Sequence, residues 1–225
     1  MVENDVIRQI ENRLIASCQP VEHGPMDTPE IITAMAKASA AGGAGALRIQ
    51  GVENIRLVAN IVDIPIVGII KRDLEDSEVR ITPFLEDVRS LAEAGAKIIA
   101  CDATFRERPV PVERLLQEIH KAGCIAMADI SSFEEGVQAA QMGFDLIGTT
   151  LSGYTSGATP EDPDFALISD LHAQGLKVVA EGRFNSPELA GQAIKAGAYC
   201  VTVGSAITRV EYICQWFSDA INQTK

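Results

Sequence analysis

Positive charge is scarce in this chain: 19 Lys and Arg stand against 31 Asp and Glu, a formal net charge of −12. So acidic a surface neither wraps nucleic acid nor docks on anionic lipid, since both partners need cationic faces. Any phosphate must therefore be met by local features. Long apolar runs are also missing. No stretch approaches the roughly 18 residues needed to span a bilayer, and the opening MVENDVIRQIENR is too charged for a signal peptide. A soluble cytoplasmic protein is expected, with neither nucleic acid nor membrane as a partner. There is no Cys-x-x-Cys pair either. The cysteines, Cys18, Cys101, Cys124, Cys200 and Cys214, are odd in number and mostly sit inside apolar runs. They read as buried free thiols in a reducing compartment. At Cys18, which borders polar residues and precedes His23, a nucleophilic thiolate is weighed against small buried filler, and filler is preferred.

What is present is alternation. The chain is 47% hydrophobic over 225 residues, enough to bury a substantial core. Its apolar runs have strand length: LIASC (14–18), GALRI (45–49), PIVGII (65–70), KIIACD (97–102), CIAMAD (124–129), DLIGTT (145–150), KVVAEG (177–182) and YCVTVG (199–204). Helical starts lie between them, at Asp27 and Thr28 before Pro29, at Ser132 before Glu134 and Glu135, and at Ser186 before Pro187 and Glu188. Glycines mark the helix ends: Gly42, Gly95, Gly123, Gly143, Gly175 and Gly197. Continuously apolar strands joined by helical crossovers form a parallel sheet. Eight such units predict a (β/α)₈ TIM barrel, with the extra N-terminal helix VIRQIENRL covering its lower mouth. A doubly wound sheet is the alternative, but the first turn, QPVEHGPMD, carries no glycine fingerprint. A weak repeat, AGGAGALRI, AEAGAKIIACD, AQMGFDLIGT and IKAGAYCVTVG, recurs at roughly 50 residues, as in a barrel of two-strand units. With no linker or composition shift, residues 1–225 are taken as one domain.

Catalytic residues of such a barrel come from the C-terminal ends of its strands. Here those ends carry Gln19, Arg48, Lys71, Asp102, Asp129, Thr149 with Thr150, Glu181, and Gly204 with Ser205. Alternate strands share a layer inside a barrel, so Gln19, Lys71, Asp129 and Glu181 are expected to face one another. That set suits proton transfer: apolar walls lower a lysine pKa, while neighbouring carboxylates oppose the shift. A bare ion-pair network is the competing reading, and a functional site is preferred. The loops after the seventh and eighth strands, EGRF and VGSAITR, suggest an anion site built from Gly182, Gly204 and Ser205, with Arg183 and Arg209 as cationic donors. Asp102, Asp129 and Glu181 form a carboxylate set that invites a divalent metal. However, His23, His120 and His172 fall at no strand end, and no catalytic metal is expected. His120 and His172 are placed on solvated helix faces.

The motifs SCQPVEHGPMDTPE, LRIQG, PIVGIIKRD, ITPF, CDATFR, MADIS, GFDLIGTTLSGYT, VVAEGRFNSPE and VGSAITR, from Leu14 to about Phe217, together resemble the N-acetylmannosamine-6-phosphate 2-epimerase family. His23, Cys101 and Val210 depart from its usual residues without removing a functional position. The resemblance implies a cofactor-independent isomerase of sialic acid catabolism that interconverts N-acetylmannosamine 6-phosphate and N-acetylglucosamine 6-phosphate at C2. Carried over by motif, Lys71 transfers the proton and Glu181 is its acid/base partner. Gln19, Arg48, Asp129 and Arg209 bind the sugar, and Gly182, Arg183, Gly204 and Ser205 hold its phosphate. A homodimer is implied, with the apolar C-terminal segment EYICQWFSDAI as a candidate contact, although packing on the barrel accounts for Trp216 and Phe217 equally well. Two other classes are kept: a lyase or aldolase using Lys71 as a Schiff-base nucleophile, and a non-catalytic sugar-phosphate sensor.

Overall fold

The computed structural model describes residues 2–155 and 159–224. Eight parallel strands close into a barrel in sequence order: β1 (Leu14–Ser17), β2 (Ala46–Gln50), β3 (Ile66–Ile69), β4 (Ile98–Asp102), β5 (Ile125–Asp129), β6 (Leu146–Gly148), β7 (Val178–Glu181) and β8 (Cys200–Val203). Helix α1 (Val2–Ile10) precedes the barrel. The outer layer comprises α2 (Pro29–Ala41), α3 (Val52–Ala59), α4 (Leu85–Ala94), α5 (Val112–Lys121), α6 (Phe133–Met142), α7 (Phe165–Ala173) and α8 (Pro187–Lys195), and after β8 come the short α9 (Ser205–Thr208) and α10 (Val210–Asn222). Closure pairs β8 with β1, through Leu14 opposite Val201 and Ala16 opposite Val203, so the sheet has no edge to protect.

Two apolar clusters hold the layers together. Inside the barrel, Ile15, Val67, Ile69, Ile98, Ile125, Met127, Leu146 and Val179 interdigitate, and Ile7 and Ile10 of α1 close the bottom. Burying each of those two isoleucines stabilises the fold by about 2 kcal/mol. The Tyr199 hydroxyl donates to the Ile7 carbonyl at 3.1 Å and fixes the plug. Outside, Leu47, Ile49, Ile55, Leu91, Ile99, Leu115, Ile119 and Ile168 pack helix against strand.

The helix starts lie where the sequence places them. Thr28 caps α2, Ser186 caps α8, and Ser132 with Glu135 forms a reciprocal capping box on α6. The first helix-ending glycine is shifted by one residue. Gly42 stays right-handed (φ −76°) and Gly43 takes the left-handed conformation (φ 96°). Between β3 and α4 the chain does more than turn: Lys71 bridges Ile81 in antiparallel fashion, and the Arg72 N–H donates to the Arg80 carbonyl at 2.9 Å. This hairpin rises over the C-terminal mouth. The cysteine expectation fails at one position, because Cys214 on α10 is exposed while the other four are buried.

Candidate active site

A cavity of about 430 Å³ opens over the C-terminal ends of the strands. Its floor is electrostatic. Arg48, in the middle of β2 rather than at its end and 1% exposed, donates from Nη2 to Asp129 Oδ2 at 2.6 Å and from Nη1 to Asp129 Oδ1 at 3.3 Å. The same Nη1 lies 3.3 Å from Glu181 Oε2. The guanidinium is therefore shared between two carboxylates. Burial disfavours the Arg48 cation, but Asp129 and then Glu181 more than offset this and hold its pKa above the ordinary value. Arg48, expected to bind substrate, lies at the centre of the charged floor and lines the cavity.

Lys71 is fixed through its backbone by the Ile81 bridge and by the neighbouring Thr82 N–H, which donates to the Ile70 carbonyl at 2.7 Å. The sequence leaves burial and ion pairing in competition at this amine, and burial prevails. Burial, then Arg48, Arg209 and Arg80, lower the Lys71 pKa to about 8, with Glu181 opposing. About a tenth of the amine is then neutral at pH 7, against far less than a hundredth for an ordinary lysine. Glu181 shifts the other way: burial raises its carboxyl above the usual range, Arg48 and Lys71 pull it down, and Asp129 pushes it up. The Thr149 hydroxyl clamps the Glu181 backbone, donating to its carbonyl at 2.9 Å and accepting from its N–H at 3.0 Å. The remaining 16% of Glu181 side-chain surface is exposed in a residue that lines the cavity.

The other sequence candidates divide. Gln19 lines the cavity; its Nε2 donates to Ser17 Oγ at 2.8 Å and its buried Oε1 has no partner. Arg209 lines it too, with Nε donating to the Gln19 carbonyl at 3.1 Å. Gly182 (φ 108°), Gly204 and Ser205 form the wall expected to meet an anion. Arg183 is not the free cationic arm that its place in that motif suggests. In the left-handed region at φ 64°, it donates to the carbonyls of Asp162 at 2.7 Å and Ser152 at 2.5 Å and stacks over Tyr154, tying two loops together at the cavity rim. Asp129 forms no part of the cavity wall; at 0% exposure it lies beneath Arg48. Asp129 supports the Arg48 guanidinium from below.

Asp102 accepts from Arg106 at 2.5 Å and from Arg108 at 3.1 Å, so its oxygens already face two guanidinium groups. Among the described residues there is no group of three or more His, Cys, Asp or Glu placed to hold a metal ion. His120 is at 3.0 Å from Asp145 on a partly exposed helix face, and His172 is exposed. Cys18 offers no nucleophile: its thiol is 1% exposed, lies 3.9 Å from Ser39 Oγ, and is pushed by burial up to about 11. Sequence reasoning missed Arg80, Arg106, Tyr154, Asn185 and Thr202 in the lining. Arg80, Arg106, Tyr154 and Asn185 come from loops, where no periodic pattern marks direction. Thr202 lies inside the last apolar run, and only its inward register reveals it.

The chain matches a family model described as "Putative N-acetylmannosamine-6-phosphate epimerase" over residues 32–223. Relatives named for the same 2-epimerase, with the same qualifier, include one from Pasteurella multocida, 56% identical over 220 residues, covering 98% of this chain and 96% of its own. Another, from Aliivibrio fischeri, is 58% identical over 219 residues, covering 97% and 93%. Among solved structures, the N-acetylmannosamine-6-phosphate 2-epimerase from Clostridium perfringens superposes with a TM-score of 0.92 at 41% identity, covering 95% of each chain.

Proposed function

The chain belongs to the N-acetylmannosamine-6-phosphate epimerase family, and from that premise we infer that it interconverts N-acetylmannosamine 6-phosphate and N-acetylglucosamine 6-phosphate. The observation that carries the residue roles is the lowered pKa of Lys71, about 8, beside a carboxyl whose pKa is raised. Such a pair matches a carbon acid: one group takes a proton near neutral pH, and the other donates a hydrogen bond or a proton.

In the open-chain sugar, C2 adjoins the C1 aldehyde. Lys71 removes the C2 proton, the C–H electron pair moves into the C1–C2 bond, and the carbonyl oxygen takes the negative charge. Arg48 and Arg209 supply donors that stabilise this oxyanion, and Gln19, whose Oε1 is free to accept from a hydroxyl, helps orient the chain. The proton returns to the opposite face of C2, with Glu181 as acid/base partner. The aldehyde is itself the electron sink, so the step proceeds without a cofactor. Gly182, Gly204 and Ser205 receive the phosphate through backbone N–H groups and a hydroxyl, with Arg183 shaping that wall.

This is a one-domain, cytoplasmic enzyme of sialic acid catabolism, and it works as a homodimer. The dimer reading rests on α10, in which no residue is buried and which leaves Tyr212, Trp216, Phe217 and Ile221 exposed. Packing on its own barrel covers much of Trp216 but does not account for Phe217, which is 70% exposed. Light scattering checks the dimer, and a monomer at micromolar concentration overturns it. Among the described residues no helix is long and apolar enough to cross a membrane.

The activity is tested by incubating either sugar phosphate with the protein in deuterated water. Formation of the epimer with deuterium at C2 is expected, and neither epimer nor deuterium overturns the reading. Lys71→Ala abolishes exchange if Lys71 is the base.

A further inference from the structure

The Asp129 carboxylate is fully buried and outside the wall of the cavity over the strand ends, yet both of its oxygens are held. Arg48 reaches Oδ2 at 2.6 Å, and the Thr150 hydroxyl donates to Oδ1 at 2.6 Å. A carboxylate pinned on both oxygens cannot turn about its last bond, so its direction, and that of the guanidinium it grips, is fixed. Thr150 lies two residues past the end of β6 and must reach back along the strand to make this contact. The residue that would stand in its way is Gly148, which pairs with Asp129 in the β5–β6 register. A Cβ on Gly148 would come 3.0 Å from Asp129 Oδ1, 3.1 Å from Thr150 Oγ1 and 2.4 Å from the Met127 methyl. The strand is bare at the point where the hydroxyl needs room.

The two adjacent threonines have separate tasks. Thr149 holds the backbone of Glu181, and Thr150 holds the carboxylate that competes with Glu181 for Arg48. We propose that Thr150 is a positioning residue of the epimerase reaction: through Asp129 it aims Arg48 at Glu181 and sets how much negative charge Glu181 faces. This rests on the epimerase reading above.

Its consequence is a titration. The groups that act on the Glu181 carboxyl are Arg48 from β2, Lys71 beyond β3, Asp129 from β5 and Thr202 from β8, with Cys200 of β8 close by. Without the hydroxyl donor, more of the Asp129 charge is left for Glu181 to feel, and Glu181 ionises at higher pH. The guanidinium, released on one side, also drifts from its aim.

The test compares wild type with Thr150→Val and Thr150→Ser in the purified full-length protein, assayed with N-acetylmannosamine 6-phosphate across pH. For Thr150→Val, kcat falls roughly 10- to 100-fold with KM little changed, as expected for a misaligned catalytic group, and the alkaline limb of kcat/KM, where Glu181 ionises and ceases to be the acid beside neutral Lys71, moves to higher pH. Thr150→Ser restores both. Thr150→Ala, which adds no bulk, gives the same reading should the valine variant fail to fold. An unchanged kcat with an unmoved limb overturns the proposal, as does a loss of kcat that leaves the limb in place and is not restored by serine. A wild-type enzyme that fails to epimerise overturns the functional reading and this proposal with it. A working wild type beside an unaffected variant overturns this proposal alone.

Discussion

Arg48 Nη2 and Asp129 Oδ2 stand 2.6 Å apart with side-chain exposures of 2% and 0%, at the centre of a barrel whose other layers are apolar. So buried a pair is not itself a source of stability, because desolvation of both ions offsets their attraction. Breaking it is another matter. Arg48→Met leaves Asp129 and Glu181 as two carboxylates over a dry floor, and the fold should lose roughly 3–5 kcal/mol. Urea titration at neutral pH measures this. In the variant Glu181, already raised by burial and now without the Arg48 charge that pulls it down, takes up its proton more readily than in the unfolded chain, so the gap to wild type narrows as pH falls. A gap that stays constant with pH would show that the carboxylates do not face each other.

Lys71→Met should abolish exchange at C2 and make the protein more stable. The ammonium of Lys71 is disfavoured in the fold, with its pKa lowered from 10.5 to about 8. Below about 8 the lysine is charged in both folded and unfolded states, and the full penalty applies. Between about 8 and 10.5 the unfolded chain binds the proton and the folded one does not, so wild-type stability rises with pH. The advantage of Lys71→Met is therefore largest at pH 7 and fades toward 10.5. Urea midpoints at pH 7, 9 and 10.5 trace it, and an advantage that grows with pH contradicts the assignment.

The barrel was legible in the sequence because burial on both faces leaves one signature, a short apolar run ended by a polar residue and recurring between helical segments. The strand ends Asp129 and Glu181 could be picked out by position alone, whereas Arg48 falls in the middle of β2, two residues before its end. What could not be read was direction. Asp129 and Glu181 both end odd strands, yet one turns under Arg48 and the other lines the cavity. Arg48, from an even strand, joins them because its long side chain crosses between layers. Arg183 carried a phosphate-loop motif, but its contacts with Ser152 and Asp162 depend on a loop fold that no spacing encodes.

Cys18→Ala should retain turnover within a few-fold. Its thiol is buried, lies beside Ser39, and has a pKa pushed up to about 11, so at pH 7 almost no thiolate exists to attack anything. His23, the base that a nucleophile would need, is exposed, with its backbone N–H donating to Asp27 Oδ2 at 2.9 Å. Steady-state kinetics of the variant decide it, and a loss of several orders of magnitude in kcat would return the thiol to the mechanism.

The pH dependence of the wild-type reaction follows from Lys71. If the neutral amine removes the C2 proton, kcat/KM rises with pH through an apparent value near 8, the pKa of Lys71 in the free enzyme. Arg80 offers a way to move that limb from outside the reacting groups. It is paired with exposed Asp73 at 2.6 Å, and its charge is one of those that lower Lys71. Arg80→Gln removes a cation that disfavours the ammonium, so Lys71 holds its proton to higher pH and the limb shifts upward. The shift is small because Arg80 is nearly half exposed and solvent screens its field. The same screening makes it sensitive to salt: the difference between Arg80→Gln and wild type shrinks as ionic strength rises. A limb that moves downward, or one that stays put at low salt while Lys71→Met is inactive, would mean that the titrating base is Glu181 and that Lys71 serves as a cation.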